Sequence, residues 1–219
     1  MSEYNFEIIN LKKIDYEIAH KKQLEYNYDV HLGITSPKII ICSHNPVVTL
    51  GKRIEKSSLN LGWKGKIINV ERGGQATYHG PSQVILYPIF PLNKFKISIE
   101  KYLVALEESM IDTLKIYNVE GFGNNDRGNP KYTGVWVNDS IGNRKKIASI
   151  GIALKRWVTY HGLALNLYKD AQAFQGINPC GFTSDTMTSL EVILNRKVER
   201  QEFENYLTET LIKKIRNSL

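Results

Sequence analysis

Arg144-Lys145-Lys146-Ile147-Ala148-Ser149-Ile150-Gly151-Ile152-Ala153-Leu154-Lys155-Arg156-Trp157-Val158-Thr159-Tyr160-His161-Gly162-Leu163-Ala164-Leu165-Asn166-Leu167 is mostly apolar or small, with charge confined to a few positions near 144–146 and 155–156. Lys146 to Ile152, Trp157 to Tyr160 and Leu163 to Leu167 read as strands, rich in β-branched and aromatic residues and too short for buried helices. Strand candidates continue towards the N-terminus. Phe6 to Leu11, Ile67 to Val70, Val84 to Phe90 and Val135 to Val137 have the same character. Ile39 to Cys42 and Val47 to Leu50, separated by Asn45-Pro46, look like two strands joined by a tight turn.

Helices intervene singly. Ser98 is a good N-cap for a helix to about Tyr117, whose Ile99, Leu103, Leu106, Met110, Leu114 and Tyr117 recur every three or four positions. A weaker pattern runs from Asp15 to His31, with Ile14, Ile18, Leu24 and Tyr28 at roughly helical spacing. Gly121 to Pro130 reads as an exposed loop. The chain returns to helix at Thr188 to Leu194 and from about Val198 to Ile215. The expected fold is α/β (α+β): a mixed β-sheet flanked by helices, one domain over 1–219 with a helical end from about residue 188.

The 219 residues are 42% hydrophobic and 23% charged, enough to bury a core without disulfide or metal staples. The formal net charge of +7 favours an acidic partner, or is simply a solubilising surface. The two cysteines, Cys42 and Cys180, are far apart and in no paired motif, which excludes a disulfide framework. Met1 to Asn5 is polar with no basic lead into an apolar run, and no stretch approaches the roughly 20 apolar residues that span a bilayer. A cytoplasmic, membrane-free protein is expected.

Three segments carry chemistry. Glu71-Arg72-Gly73-Gly74-Gln75-Ala76-Thr77-Tyr78-His79-Gly80-Pro81-Ser82-Gln83 joins adjacent glycines, which let backbone approach a ligand closely, to a cation and two rings with polar tips. In Arg144-Lys145-Lys146, the first two are the solvated surface that basic runs usually are. Lys146 begins an apolar strand and is a candidate buried amine, able to act as a base. Ile177-Asn178-Pro179-Cys180-Gly181-Phe182 sets a thiol between a rigid proline and an uncrowding glycine. Cys42, after three isoleucines, is a small core hydrophobe. His161, in Thr159-Tyr160-His161-Gly162-Leu163-Ala164, is a base, a carbonyl contact or a core histidine. With no HExxH, CxxC or paired carboxylates, no metal is expected, and no phosphate-binding or dinucleotide glycine motif occurs. A nucleophile at Cys180, with Lys146, His79 and His161 as possible partners, is the set that covalent acyl transfer needs.

Taken together, His44 to Gly51, Arg72 to Gln83, Thr133 to Val137, Lys146 to Gly151, His161 to Asn166 and Ile177 to Gly181 resemble, in order, the blocks of the lipoyl(octanoyl) transferase family. Ser82 stands where that family usually has the second glycine of His-Gly-Pro-Gly-Gln, and Thr133 where it usually has proline. The resemblance implies a biotin/lipoate protein ligase-like domain, related to class II aminoacyl-tRNA synthetases. It implies Cys180 as acyl acceptor and Lys146 as its partner. It also implies that Arg72, Gly73, Gly74, Gln75, Ala76, Thr77, Tyr78, His79, Ser149, Ile150, Gly151, Gly162, Leu163 and Ala164 line the acyl pocket. The donor would be octanoyl-phosphopantetheine on an acyl carrier protein, with no other cofactor. The acceptors would be lipoyl domains of 2-oxoacid dehydrogenase complexes and glycine cleavage H protein. An ATP-dependent lipoate–protein ligase of the same fold is the nearest rival, and a non-catalytic binder of an acyl group or acidic partner a second. A nucleic-acid binder has only the charge in its favour, with no recognition motif.

Overall fold

The computed structural model describes residues 5–54, 62–126 and 129–218, with Cys180 described by its backbone. Among these residues ten strands and four α-helices follow in chain order: β1 (Glu7–Ile14), α1 (Tyr16–Leu32), β2 (Lys38–His44), β3 (Val47–Leu50), β4 (Lys66–Asn69), β5 (Ala76–His79), β6 (Gln83–Ile89), α2 (Ile99–Ile116), β7 (Gly121–Phe122), β8 (Gly134–Asn138), β9 (Arg144–Lys155), β10 (Val158–Asn166), α3 (Leu190–Leu194) and α4 (Arg200–Asn217). Seven strands form a mixed sheet in the order β1-β2-β6-β10-β9-β8-β7, and a small sheet runs β4-β3-β5. In the large sheet β1 and β2 are parallel and the other pairs antiparallel. This is the mixed sheet flanked by helices that the sequence led us to expect. Among the described residues no helix is long and apolar enough to cross a membrane.

The main core lies between one face of the large sheet and helices α2 and α4. Ser98 caps α2, its Oγ accepting from the Lys101 amide at 3.2 Å. Tyr102, Leu106, Met110 and Leu114 of α2 meet Phe203, Leu207, Leu211 and Ile215 of α4 and Val84, Leu86, Leu163 and Leu165 of the sheet. Each such side chain contributes about 1.5–3 kcal/mol by leaving water.

Helix α1 covers the other face, and not with the residues its spacing suggested. Ile18 and Tyr28 are 54% and 49% exposed, while Tyr16, Ala19, Gln23, Asn27 and Val30 form the buried stripe. Two of these are amides with work to do. Gln23 Oε1 accepts from the His161 amide at 2.7 Å, and Asn27 Nδ2 donates to the Val158 carbonyl at 2.9 Å. An apolar periodicity cannot register a helix whose buried face is half polar, which is why the pattern was weak.

Three other differences matter for the site. Strands β2 and β3 follow one another but belong to different sheets, so Asn45-Pro46 passes the chain between sheets and closes no hairpin. Within the Glu71–Gln83 segment, to which the sequence assigned no regular element, Ala76–His79 is strand β5, paired with β3. The two strands expected at 157–160 and 163–167 are the single strand β10, with Trp157 exposed in the preceding turn. Within β10, His161 has φ 56°, a left-handed residue that breaks the two-residue alternation while pairing with β9 continues. Tyr160 and His161 can therefore turn the same way, their ring centroids 4.7 Å apart.

Candidate active site

Strands β9 and β10 bring two of the singled-out triplets face to face. In register, Ser149 opposes Ala164, Ile150 opposes Leu163 and Gly151 opposes Gly162. All six line a cavity of about 280 Å³, with Arg72, Gly74, Gln75, Thr77 and His79 on its far wall. That volume is near the lower end of small-ligand sites. Ala76 and Tyr78 alternate to the opposite face of β5 and pack with Val48, Phe174 and Ile177. Gly73 is engaged through its backbone, its amide donating to the Ile152 carbonyl at 3.0 Å.

Arg72 is 6% exposed and held rather than free. Its Nη2 donates to the Thr49 carbonyl and Oγ1, each at 2.8 Å, and its Nη1 to the Gly73 carbonyl at 2.9 Å. The guanidinium thereby fastens the glycine loop to β3. Gly151 gives it room, since a Cβ there would stand 2.9 Å from Arg72 Cδ. Ser82 uses the hydroxyl that a glycine would lack: its Oγ donates to Asp170 Oδ2 at 2.9 Å, the oxygen that Tyr78 also reaches at 3.1 Å.

The floor is a cluster of rings. Tyr16 stacks on His79 at 5.7 Å and meets His44 edge-on at 5.1 Å, and His44 Nε2 lies 2.9 Å from the Tyr87 hydroxyl. Burial pushes the His79 and His161 imidazoles well below the usual histidine range, helped by Arg72 and the neighbouring histidines. Burial raises the Tyr16 and Tyr87 hydroxyls. These groups are neutral at pH 7, so they present an uncharged, largely apolar surface. Besides the tethered Arg72 guanidinium, the charges lining the cavity are at the rim, where Arg53 and Lys131 are exposed.

Lys146 is 0% exposed, and its position is a consequence of register. Val135 pairs with Ala148 but Trp136 with Lys146, so Ile147 is an extra residue, a β-bulge. A one-residue slip turns a side chain to the other face. Without it Lys146 would share the face of Ala148, in the α2–α4 core; with it Lys146 lies on the Trp136 face. Its Nζ sits 5.3 Å from the Trp136 ring centroid and 5.9 Å from that of Phe182, with no hydrogen-bond partner among the described residues. Gly134, at φ 130°, makes space beside it: a Cβ there would come within 2.9 Å of Lys146 Cε and 2.3 Å of the Ala148 carbonyl oxygen. Glu107 of α2 fixes Gly134 by accepting its amide at 3.1 Å.

Cys180 lies in a 3-10 turn, Pro179–Gly181. The turn abuts the cavity, because a Cβ at Gly181 would lie 3.0 Å from Gln75 Oε1 and 3.6 Å from Lys131 Cε. Phe182, directly after it, is the ring facing Lys146, so the cysteine-bearing turn and the buried amine meet at one aromatic cluster with Trp136 and Tyr132. Cys42 is buried on β2 among Ile40, Ile85 and Tyr87 with its thiol pushed up by burial, the core hydrophobe it was expected to be. Arg144 is exposed and Lys145 partly so, as expected of a basic run, and each also makes a contact. Lys145 Nζ donates to the Asp185 carbonyl at 2.9 Å, and the Arg144 guanidinium stacks over Trp136 at 4.7 Å. Sequence reasoning missed Tyr16, Arg53, Tyr87, Asn129, Pro130, Lys131 and Thr133 as cavity lining. Thr133 had left a trace, as a departure from a motif, and Arg53 another, as a basic residue suited to docking an acidic carrier.

A cavity of this kind, opened on such a sheet beside a buried lysine and a cysteine-bearing turn, has the fold of lipoate and biotin protein ligases. Lipoate-protein ligase A bound with ATP has a TM-score of 0.70 at 14% identity, covering 97% of this chain and 86% of its own. Biotin protein ligase from Aquifex aeolicus has 0.56 at 10%, covering 98% and 70%. At such identities the likeness is one of fold alone. Residues 17–212 match the lipoyl protein ligase A/B catalytic domain family, and the chain belongs to that family, on its octanoyltransferase branch. An octanoyltransferase of Bdellovibrio bacteriovorus is 38% identical over 211 residues, 91% of this chain and 94% of the relative. One of Caldicellulosiruptor saccharolyticus is 40% identical over 200 residues, 83% and 81% respectively.

Proposed function

We propose that this protein, acting as one catalytic domain, moves octanoyl from the phosphopantetheine arm of an acyl carrier protein, through a Cys180 thioester, to the lysine amine of a lipoyl domain. The observation that carries this reading is the bulge-directed Lys146 amine, buried beside the Cys180 turn at the edge of an apolar cavity. The acyl tail lies against Ile150, Leu163 and Ala164, each methylene contributing about 0.8 kcal/mol on leaving water. The exposed Arg53 and Lys131 at the rim suit the phosphate of the arm and an acidic carrier surface.

The Cys180 thiol gives its proton to Lys146 as sulfur attacks the octanoyl carbonyl. The bond from the carbonyl carbon to pantetheine sulfur breaks, and the departing thiolate takes that proton. In the second half the acceptor lysine nitrogen attacks the new thioester, the carbon–sulfur bond to Cys180 breaks, and the proton shed by the amine passes through Lys146 to the released Cys180 thiolate, restoring the thiol. Thioester exchange is nearly balanced and amide formation runs downhill, so no ATP enters. Lipoyl domains of 2-oxoacid dehydrogenase complexes and glycine cleavage H protein are the acceptors, and the cytoplasm is the site of reaction. The ligase alternative is supported by the fold and by the shared family model, while the relatives matched over most of this chain are named octanoyltransferases.

Intact-mass analysis tests this. The native chain incubated with octanoyl-carrier protein gains one octanoyl group and passes it to a lipoyl domain without ATP. Cys180→Ala does neither, while Cys42→Ala does both. Full activity in Cys180→Ala, or turnover only with ATP, overturns the proposal.

A further inference from the structure

The fold assembles a second cluster against the acyl cavity, sharing His161 with its lining, from side chains that no single motif contains. His20 on α1, Glu71 in the loop after β4 and His161 on β10 turn their ligating atoms into one space. Glu71 Oε2 lies 3.4 Å from His20 Nε2 and 3.8 Å from His161 Nε2, and the three atoms fall within 4.8 Å of one another. His161 is 1% exposed, and both Nε2 atoms are buried without a hydrogen-bond partner among the described residues. A buried polar nitrogen left unpaired carries a desolvation cost. One carboxylate oxygen at these distances makes a good hydrogen bond to neither ring.

A cation satisfies all three at once. We propose that His20, Glu71 and His161 bind one divalent ion of the zinc class, with Glu71, whose side chain is 49% exposed, marking the open side where water completes the coordination. Two imidazoles and a carboxylate suit a borderline transition metal rather than magnesium, which prefers oxygen. Ligand bonds of about 2.0–2.1 Å in a tetrahedron set neighbouring donor atoms roughly 3.3–3.5 Å apart. The His20–Glu71 spacing already meets this. The wider spacings close if the His20 ring, now stacked on His161 at 5.1 Å and 18°, rotates about its side-chain torsions so that the two in-plane lone pairs converge; with its side chain 19% exposed against 2% for His161, it is the freer of the two. The Tyr16 hydroxyl, 3.4 Å from His161 Nδ1, orients the ring by accepting from that nitrogen and leaves the Nε2 lone pair facing the site. Arg72, the nearby cation, is tied to Thr49 and opposes binding without blocking it. The sequence reading expected no metal because no ligand motif is contiguous; these ligands come from three separate elements.

The assignment rests on these three side chains and not on the proposed octanoyl transfer. Metal-stripped full-length protein titrated with zinc chloride takes up one equivalent, and its melting midpoint rises. Magnesium chloride produces neither effect. His20→Ala and Glu71→Gln bind zinc at least tenfold more weakly and lose the rise, while keeping the native far-UV spectrum. His20 does not touch the acyl cavity, so His20→Ala retains octanoyl transfer. Cys180→Ala retains zinc binding, which separates this site from capture by the thiol. No uptake by the native chain, unchanged uptake by His20→Ala and Glu71→Gln, or uptake lost with Cys180 would each overturn the assignment.

Discussion

Replacing Lys146 by methionine separates its value to catalysis from its cost to stability. The side chain is fully buried, and its Nζ contacts ring faces with no hydrogen-bond partner among the described residues. A polar group buried in this way costs about 1–3 kcal/mol in protein mutational series. Methionine has nearly the same length and fills the same slot between Trp136, Phe182 and Gly134, so Lys146→Met removes the amine and leaves no cavity. The variant gains about 1–3 kcal/mol, which raises the melting midpoint by roughly 2–12 °C for a chain of this size. Lys146→Ala, by contrast, also deletes the stem and loses about 2–4 kcal/mol to the void. Both variants lose about 10²–10⁴-fold in octanoyl transfer if Lys146 carries the proton. Urea melts and single-turnover transfer measured on the three proteins decide the matter. A Lys146→Met protein less stable than the native chain would show that Nζ has a stabilising partner. One that keeps its activity would remove Lys146 from the mechanism.

Asn27→Leu strands the Val158 carbonyl that Asn27 Nδ2 satisfies at 2.9 Å, and should cost about 1–3 kcal/mol in urea melts; an unchanged midpoint would mean the apolar-pattern reading of α1 was adequate. Gly134→Ala forces a Cβ to within 2.3 Å of the Ala148 oxygen at a positive φ, so transfer should fall sharply through displacement of Lys146, and unaltered kinetics would contradict that placement. His44, His79 and His161 all have their pKa values lowered by burial. The unfolded chain therefore binds protons near pH 6.5 that the folded chain refuses, and the stability present above that pH is lost as pH falls below it, by up to about 1.4 kcal/mol per pH unit for each histidine. Melting midpoints should drop above the range where carboxylates titrate, and His79→Gln should flatten the slope; a flat profile in the native chain would refute the neutral-floor assignment. Lys52, Arg53, Lys131, Arg144, Lys155 and Arg156 are exposed, and charges more than about 8 Å apart are screened at physiological salt. The second-order rate with octanoyl-carrier protein should therefore fall steeply with salt while that with a small octanoyl thioester barely changes, and equal sensitivity would exclude these charges from docking.

Much of the strand content and helix α2 could be read directly from the residues, because their side chains bury apolar surface at the period of their own backbone. The ordered motifs likewise carried the family, since a glycine beside a guanidinium or a proline before a thiol is a local requirement. Helix α1 could not be read this way: its buried Gln23 and Asn27 answer backbone groups of β10, which lie far along the chain. Nor could the sorting of Arg72 to His79, where strand alternation sends Tyr78 into an apolar cluster and His79 into the cavity. Lys146 shows the division most sharply. Its residue type and apolar neighbours marked it as a candidate, but a bulge of one residue opposite Val135 and Trp136 decides which face it occupies. Pairing across strands is set by partners distant in the chain, so no local pattern records it, and the convergence of His20, Glu71 and His161 is set in the same way.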